Sequence, residues 1–169
     1  MPLAVTHVLV PIIIADLIRD HVKGMKHKIT LHELFVAGLF GLLPDIDILF
    51  GLVSNFLFGT FPTAFHRTYT HTLVIPAVIF LTSLLFWDKQ KIRMLLWMAA
   101  FGWFSHIILD YFIIGEVMPV FPISNLQVGL NPFGVPNETT YLLVAGLDAV
   151  SLLGWLWHEE RMKKIKDFY

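Results

Sequence analysis

The chain has 169 residues, of which 56% are hydrophobic and 15% charged, against about 45–50% and about 25% in soluble domains; this speaks against a water-soluble globule. Its 12 basic and 13 acidic residues leave a net charge of −1, which provides no basic field for gripping nucleic acid. It contains 0 cysteines, which excludes disulfides, thiolate metal sites and cysteine nucleophiles together, so any metal must be held by His and carboxylate.

Five apolar runs follow in chain order, at 3–18, 34–58, 72–87, 94–115 and 141–157. Each is close to the roughly 17–25 residues that cross a bilayer as helix. They predict one all-α domain over 1–169, an integral membrane bundle of about five hydrophobic helices. The first run lacks the basic start and small-residue cleavage site of a signal peptide and is expected to be retained. Pro44 interrupts the second run and predicts a broken helix there, because proline removes a backbone donor and clashes with the preceding turn.

Loop charges give an orientation, since basic residues of short loops stay on the cytoplasmic side. Arg19, Lys23, Lys26 and Lys28 follow run one, Lys89, Lys91 and Arg93 follow run three, and Arg161, Lys163, Lys164 and Lys166 follow run five. Arg67 alone sits in an opposite loop. The expected topology is amino terminus outside and carboxyl terminus cytoplasmic, in a cell (inner) membrane.

Ionisable groups inside a bilayer cost several kcal/mol unless paired, hydrated or metal-bound. The informative residues are therefore His7, Asp16, Asp45, Asp47, His106, Asp110 and Asp148, joined by His66 and His71 from the loop before run three. Most fall toward the outer face of the predicted topology. His106 and Asp110 share one helical face and can reach one ion; the competing reading is a buried His–Asp pair joining helices. Asp45 and Asp47 follow the helix-breaking proline, where irregular backbone at membrane depth lines a cavity; the competing reading is a capping turn with Asp45 as N-cap. His66 and His71 converge only if a turn or helix start lies between them, and otherwise belong to a solvated loop. A lone His7 in an apolar helix is most often a core residue. Asp16 is expected beside Arg19 or water. His21, His27 and His32 read as surface residues, and His158, beside Glu159 at the inner interface, is left out of the site. Asp148 is a further ligand, a partner orienting a ligand histidine or a helix-packing hydrogen bond, and the second is preferred. Oxygen and nitrogen donors without thiolates suit zinc, manganese or iron. No Gly-rich phosphate loop, nucleophile-elbow serine or dinucleotide fingerprint accompanies them.

Thr6-His7, Gly41-Leu42-Leu43-Pro44-Asp45-Ile46-Asp47, His66-Arg67-Thr68-Tyr69-Thr70-His71, Ser105-His106-Ile107-Ile108-Leu109-Asp110 and Pro122-Ile123-Ser124-Asn125 resemble, in that order, the signature blocks of the YdjM family of membrane-bound metal-dependent hydrolases. The same order of His, Asp, His and His-x-x-x-Asp is similar to the all-helical zinc-dependent phospholipase C fold. That resemblance implies His7, Asp45, one of His66 and His71, His106 and Asp110 as ligands, with Asp110 bridging. The sequence departs from the wider pattern, because no histidine follows Asp110 until His158; one or two ions are expected rather than three.

The expected activity is hydrolysis of a phosphoester or phospholipid-type substrate by metal-activated water at the outer membrane face. First-sphere candidates are His7, Asp45, Asp47, His66, His71, His106 and Asp110, with His7 and Asp47 also in catalytic roles. Arg67 is expected to hold a phosphate oxygen in a bidentate contact, and Ser124 and Asn125 to add neutral donors. Partners are membrane lipids and the lipid or phosphoester substrate, with no nucleic acid. The alternative is a non-enzymatic membrane protein that binds or transports a metal ion. One geometric strain remains: Asp45 and Asp47 lie about 15 Å below the end of run two at about 1.5 Å per residue, unless Pro44 breaks the span or the site is sunk toward the midplane.

Overall fold

The computed structural model describes residues 4–59, 69–113, 117–130, 132 and 138–162. Among them the chain is helical, with one isolated antiparallel bridge between Val117 and Val128 and no strand. The helices are α1 (Ala4–His21), α2 (Leu31–Leu42), α3 (Ile46–Phe58), α4 (Val74–Leu84), α5 (Gln90–Ile113) and α6 (Glu138–Arg161). The break expected at Pro44 is a single 3₁₀ turn, Leu43–Asp45, that leads from α2 into α3. Leu31–Phe58 is therefore one helical run of 28 residues and, with α5 and α6, is long and apolar enough to cross a membrane. The other two runs differ in kind. α1 carries Asp16, Arg19 and Asp20 near its end, and α4 has 11 residues, about 16 Å at about 1.5 Å per residue, against a hydrocarbon core of about 30 Å.

Local sequence explains the helix ends. Thr30 starts α2 through a capping box: its hydroxyl accepts from His32 N at 3.2 Å, and Glu33 accepts from Thr30 N at 2.8 Å. α3 stops at Gly59, whose φ of 66° is left-handed and whose N–H returns to the Asn55 carbonyl at 2.9 Å.

The packed centre is α1, α2 and α5, which meet through small residues. A Cβ on Gly41 would lie 2.2 Å from the His7 carbonyl oxygen, and one on Gly102 would lie 2.2 Å from that of Ala37. Pro11 has no N–H to give the His7 carbonyl, so that oxygen is left to face Gly41 across the α1–α2 contact. Such small-residue contacts are how helices associate in a medium as apolar as their own side chains. Beneath them Ala15, Ile29, Leu34, Ala37, Met94 and Met98 form the buried apolar cluster.

α6 joins the bundle mainly by polar clasps along α1. Thr6 donates to Asp148 at 2.9 Å, Trp155 to Asp16 at 3.0 Å, and His158 lies 3.0 Å from Asp20. This corrects the role preferred for Asp148. It accepts from Thr6 and packs α6 on α1, and among the described residues no histidine hydrogen-bonds to it.

The glycine contacts generate a test with an internal control. Gly102→Ala should lower unfolding stability by about 1–3 kcal/mol through overpacking, read as a lower melting temperature in detergent. Gly146→Ala and Gly154→Ala on α6 meet nothing within 4 Å and should be neutral or stabilising by up to about 1 kcal/mol.

Candidate metal centre

Five side chains from four parts of the chain meet where α1, the 3₁₀ turn, the segment before α4 and the end of α5 converge. His7, His71, His106 and Asp110 are buried and Asp45 is half-buried. His71 Nε2 lies 3.0 Å from His106 Nε2, 3.2 Å from Asp110 Oδ2 and 3.7 Å from Asp45 Oδ1. His106 Nε2 is 3.7 Å from both Asp45 Oδ1 and Asp110 Oδ2. His7 stacks on His106 with centroids 3.9 Å apart and brings its Nε2 to 3.4 Å from Asp110 Oδ1.

The outward nitrogens of two rings are already committed. His106 Nδ1 donates to the Gly41 carbonyl at 2.7 Å. In an α-helix that carbonyl would accept from residue 45; the 3₁₀ turn shifts the backbone bonds to three residues back, which frees it for the histidine. His71 Nδ1 lies 2.9 Å from the Thr70 hydroxyl, which itself donates to Asp47 Oδ2 at 2.9 Å. With its one hydrogen spent on Asp47, the hydroxyl accepts from His71. Both imidazoles are thus held as Nδ1–H tautomers, with Nε2 lone pairs facing each other at 3.0 Å.

Two neutral acceptors at that distance repel unless a proton or a metal ion lies between them. Burial opposes a charge on His71, yet its hydrogen bonds to Asp110 and Asp45 and the charges of Asp110 and Asp47 outweigh it and push the imidazole up to about 9. A divalent ion fits the same donors. Tetrahedral bonds of about 2.0–2.2 Å place neighbouring donors about 3.3–3.6 Å apart, inside the 3.0–3.7 Å span of the separations here. His7 Nδ1 and Asp110 Oδ1 are buried without a hydrogen-bond partner, a costly state that a ligand would relieve. Ligand atoms of His7, Asp45 and His106, and of His71, His106 and Asp110, lie within 4.8 Å of one another.

A family model described as YdjM inner membrane protein matches residues 1–165. The chain belongs to the YdjM family. Neither the curated proteins nor the solved structures compared with it include a match. Membership of an inner-membrane family agrees with the three membrane-length helices, and with exposed apolar faces such as Phe50, Phe56 and Phe58 on α3.

The remaining expected site residues are placed as follows. Asp47 reaches His71 through Thr70 and lies 3.9 Å from its Nδ1, on the side away from the other donors. His66 and Arg67 lie outside the described residues. Ser124 is half-buried and accepts from Leu126 N at 3.2 Å, and Asn125 is exposed. Their loop is anchored next to the centre, because Thr72 Oγ1 reaches the carbonyls of Pro119 at 3.1 Å and Phe121 at 2.8 Å. Asp16 pairs with Arg19 and Trp155, as its position near Arg19 suggested.

Thr70 and the Gly41 carbonyl went unseen in the sequence. Thr70 is adjacent to His71, and a hydroxyl next to a candidate ligand histidine is the available signal; nothing in the sequence marks a backbone carbonyl.

The Thr70 relay predicts a graded effect. Thr70→Val should weaken metal binding about 10–100-fold, the usual cost of losing a partner that orients a ligand, and Thr70→Ser should restore most of it. Competition with a chromophoric chelator in detergent reads both.

Proposed function

We propose that the protein is a membrane-embedded metal-dependent hydrolase of phosphoesters, with a lipid-linked phosphate as its substrate class. The observation that carries this reading is the approach of the Nε2 atoms of His71 and His106 to 3.0 Å, flanked by Asp45 and Asp110. His71, His106, Asp45 and Asp110 are the ligands of this reading, and zinc is the preferred ion, with manganese or iron as alternatives. When bound, the ion supplies a water whose pKa falls toward neutrality and an electrophile for a phosphoryl oxygen.

The chain's own groups supply the rest. Asp110 presents its second oxygen to His7, so His7 is placed to carry a proton at the edge of the centre. Hydrolysis breaks one P–O ester bond: the water oxygen joins phosphorus, and the proton it sheds ends on the leaving oxygen. His7 is the group we assign to that transfer. Asp47 and Thr70 hold His71 in its tautomer. Arg67 would clamp the phosphate as a planar bidentate donor, and Ser124 and Asn125 would add neutral donors. The site would open to the outer face, with basic loops on the cytoplasmic side.

The carrier reading has less support. Along α1 between the metal centre and the Asp16–Arg19 ion pair, the buried residues are Leu9, Pro11 and Ala15, and an ion path needs polar or hydrated steps.

Metal analysis combined with a panel of soluble and lipid phosphoesters tests the proposal. Wild type should retain close to stoichiometric metal and hydrolyse at least one lipid phosphoester. His106→Ala, His71→Ala and Asp110→Asn should each lose most metal and all turnover, whereas His21→Ala should keep both. Arg67→Lys should keep metal and lose turnover. Wild-type protein that never carries metal, or ligand variants that keep full activity, would overturn it.

A further inference from the structure

At the end of the bundle remote from the metal centre, α2 and α5 start side by side, and a cleft of about 430 Å³ opens between their first turns. It is lined by His27, Lys28, Thr30 and His32 from the approach to α2, with the capping Glu33, and by Gln90, Lys91 and Met94 of α5. Two lysines and two histidines face one cavity. Glu33 adds one carboxylate to the wall, held by the Thr30 N–H and the Thr30 hydroxyl, so the two lysines leave the lining net positive. α5 has no acidic residue in its first turn, so the positive end of its macrodipole adds to the same field.

The position narrows what this field attracts. Both helices belong to membrane-length runs, Leu31–Phe58 and Gln90–Ile113, so their starts lie where a span leaves the hydrocarbon. The first turns of α2 also expose large apolar side chains, Leu31 and Phe35. Arg93 is stacked 4.6 Å from the Trp87 ring and 5.6 Å from that of Trp97, with its guanidinium on the Trp87 carbonyl at 2.8 Å. Such a tryptophan–arginine pairing suits the headgroup level. A cavity with cationic walls at the start of two apolar membrane-length helices matches a molecule with an anionic head and hydrocarbon tails, and basic pockets between membrane helices take such headgroups.

We propose that this cleft binds the headgroup of an anionic phospholipid of the surrounding membrane, with Lys28 and Lys91 contacting its phosphate and His27 and His32 bordering it. The inference is independent of the metal centre and of the hydrolase reading. It makes the cleft a lipid-binding site at the start of two membrane-length helices.

The test uses the full chain in detergent, titrated with phosphatidylglycerol or with phosphatidylcholine in mixed micelles and read by native mass spectrometry as the fraction of protein carrying lipid. Wild type should bind phosphatidylglycerol about tenfold more tightly than phosphatidylcholine, and inorganic phosphate at millimolar concentration should not displace it. The Lys28→Gln/Lys91→Gln double variant should lose that preference with an unchanged melting temperature. The Lys23→Gln/Lys26→Gln variant removes equal charge outside the cleft and should keep it. Equal binding of the two lipids by wild type, or equal loss in both double variants, would overturn the proposal. Displacement by phosphate would do so too, in favour of a free-phosphate site.

Discussion

The arrangement depends on how closely three helices approach at Gly41. Its Cα lies against the His7 carbonyl of α1, its N–H side faces Gly102 of α5, and its own carbonyl accepts from His106. Three elements that contribute side chains to the candidate centre are thereby referred to one residue that has no side chain. Any Cβ there would push α1 away from α2, and His7 would part from the ring on which it stacks. Pro11 and Pro44 work on either side of this contact. One leaves the His7 carbonyl without an intrahelical donor, and the other tightens the helix so that the Gly41 carbonyl is free. In a bilayer an unsatisfied backbone group costs several kcal/mol, so these two prolines and the groups that answer them form a single device.

Polar chemistry is divided unequally between the two ends of α1. Near its carboxyl end Asp16, Arg19, Asp20, His158 and Glu159 form a network in which a guanidinium already lies among carboxylates. Near its amino end no lysine or arginine enters the described centre, and three histidines stand there among the carboxylates of Asp45 and Asp110. The first end is suited to hold α6 in place. The second is suited to take a metal ion, since a divalent cation offsets the charges of Asp45 and Asp110 and uses histidine lone pairs that otherwise repel.

The outer faces reflect the surrounding medium. α3 and α6 expose rows of leucine, valine and phenylalanine on a scale that water-soluble monomers avoid. Without a hydrophobic force between helices in lipid, α6 is tied to α1 by hydrogen bonds. α1, α2 and α5, which hold the centre, rely on backbone approach.

The sequence by itself determined the membrane class, the helical runs and most of the residues that meet. Composition and run length report the solvent directly, and an ionisable residue in an apolar run is conspicuous because it is costly there. His106 and Asp110 were legible as a pair through their helical spacing, and Pro44 as a break through its missing donor. Tertiary structure decided which neighbours each polar group has. Asp148 went to Thr6, and Asp47 acts through Thr70 on His71. The tautomers of His71 and His106 were fixed by a hydroxyl and by a backbone carbonyl. The physical reason is that periodicity places a residue on a face, whereas a hydrogen-bond partner depends on distances of a few tenths of an ångström between elements far apart in the chain. Those distances come from glycine contacts between helices, and one sequence does not tell a glycine at a helix crossing, such as Gly102, from one that meets nothing, such as Gly146.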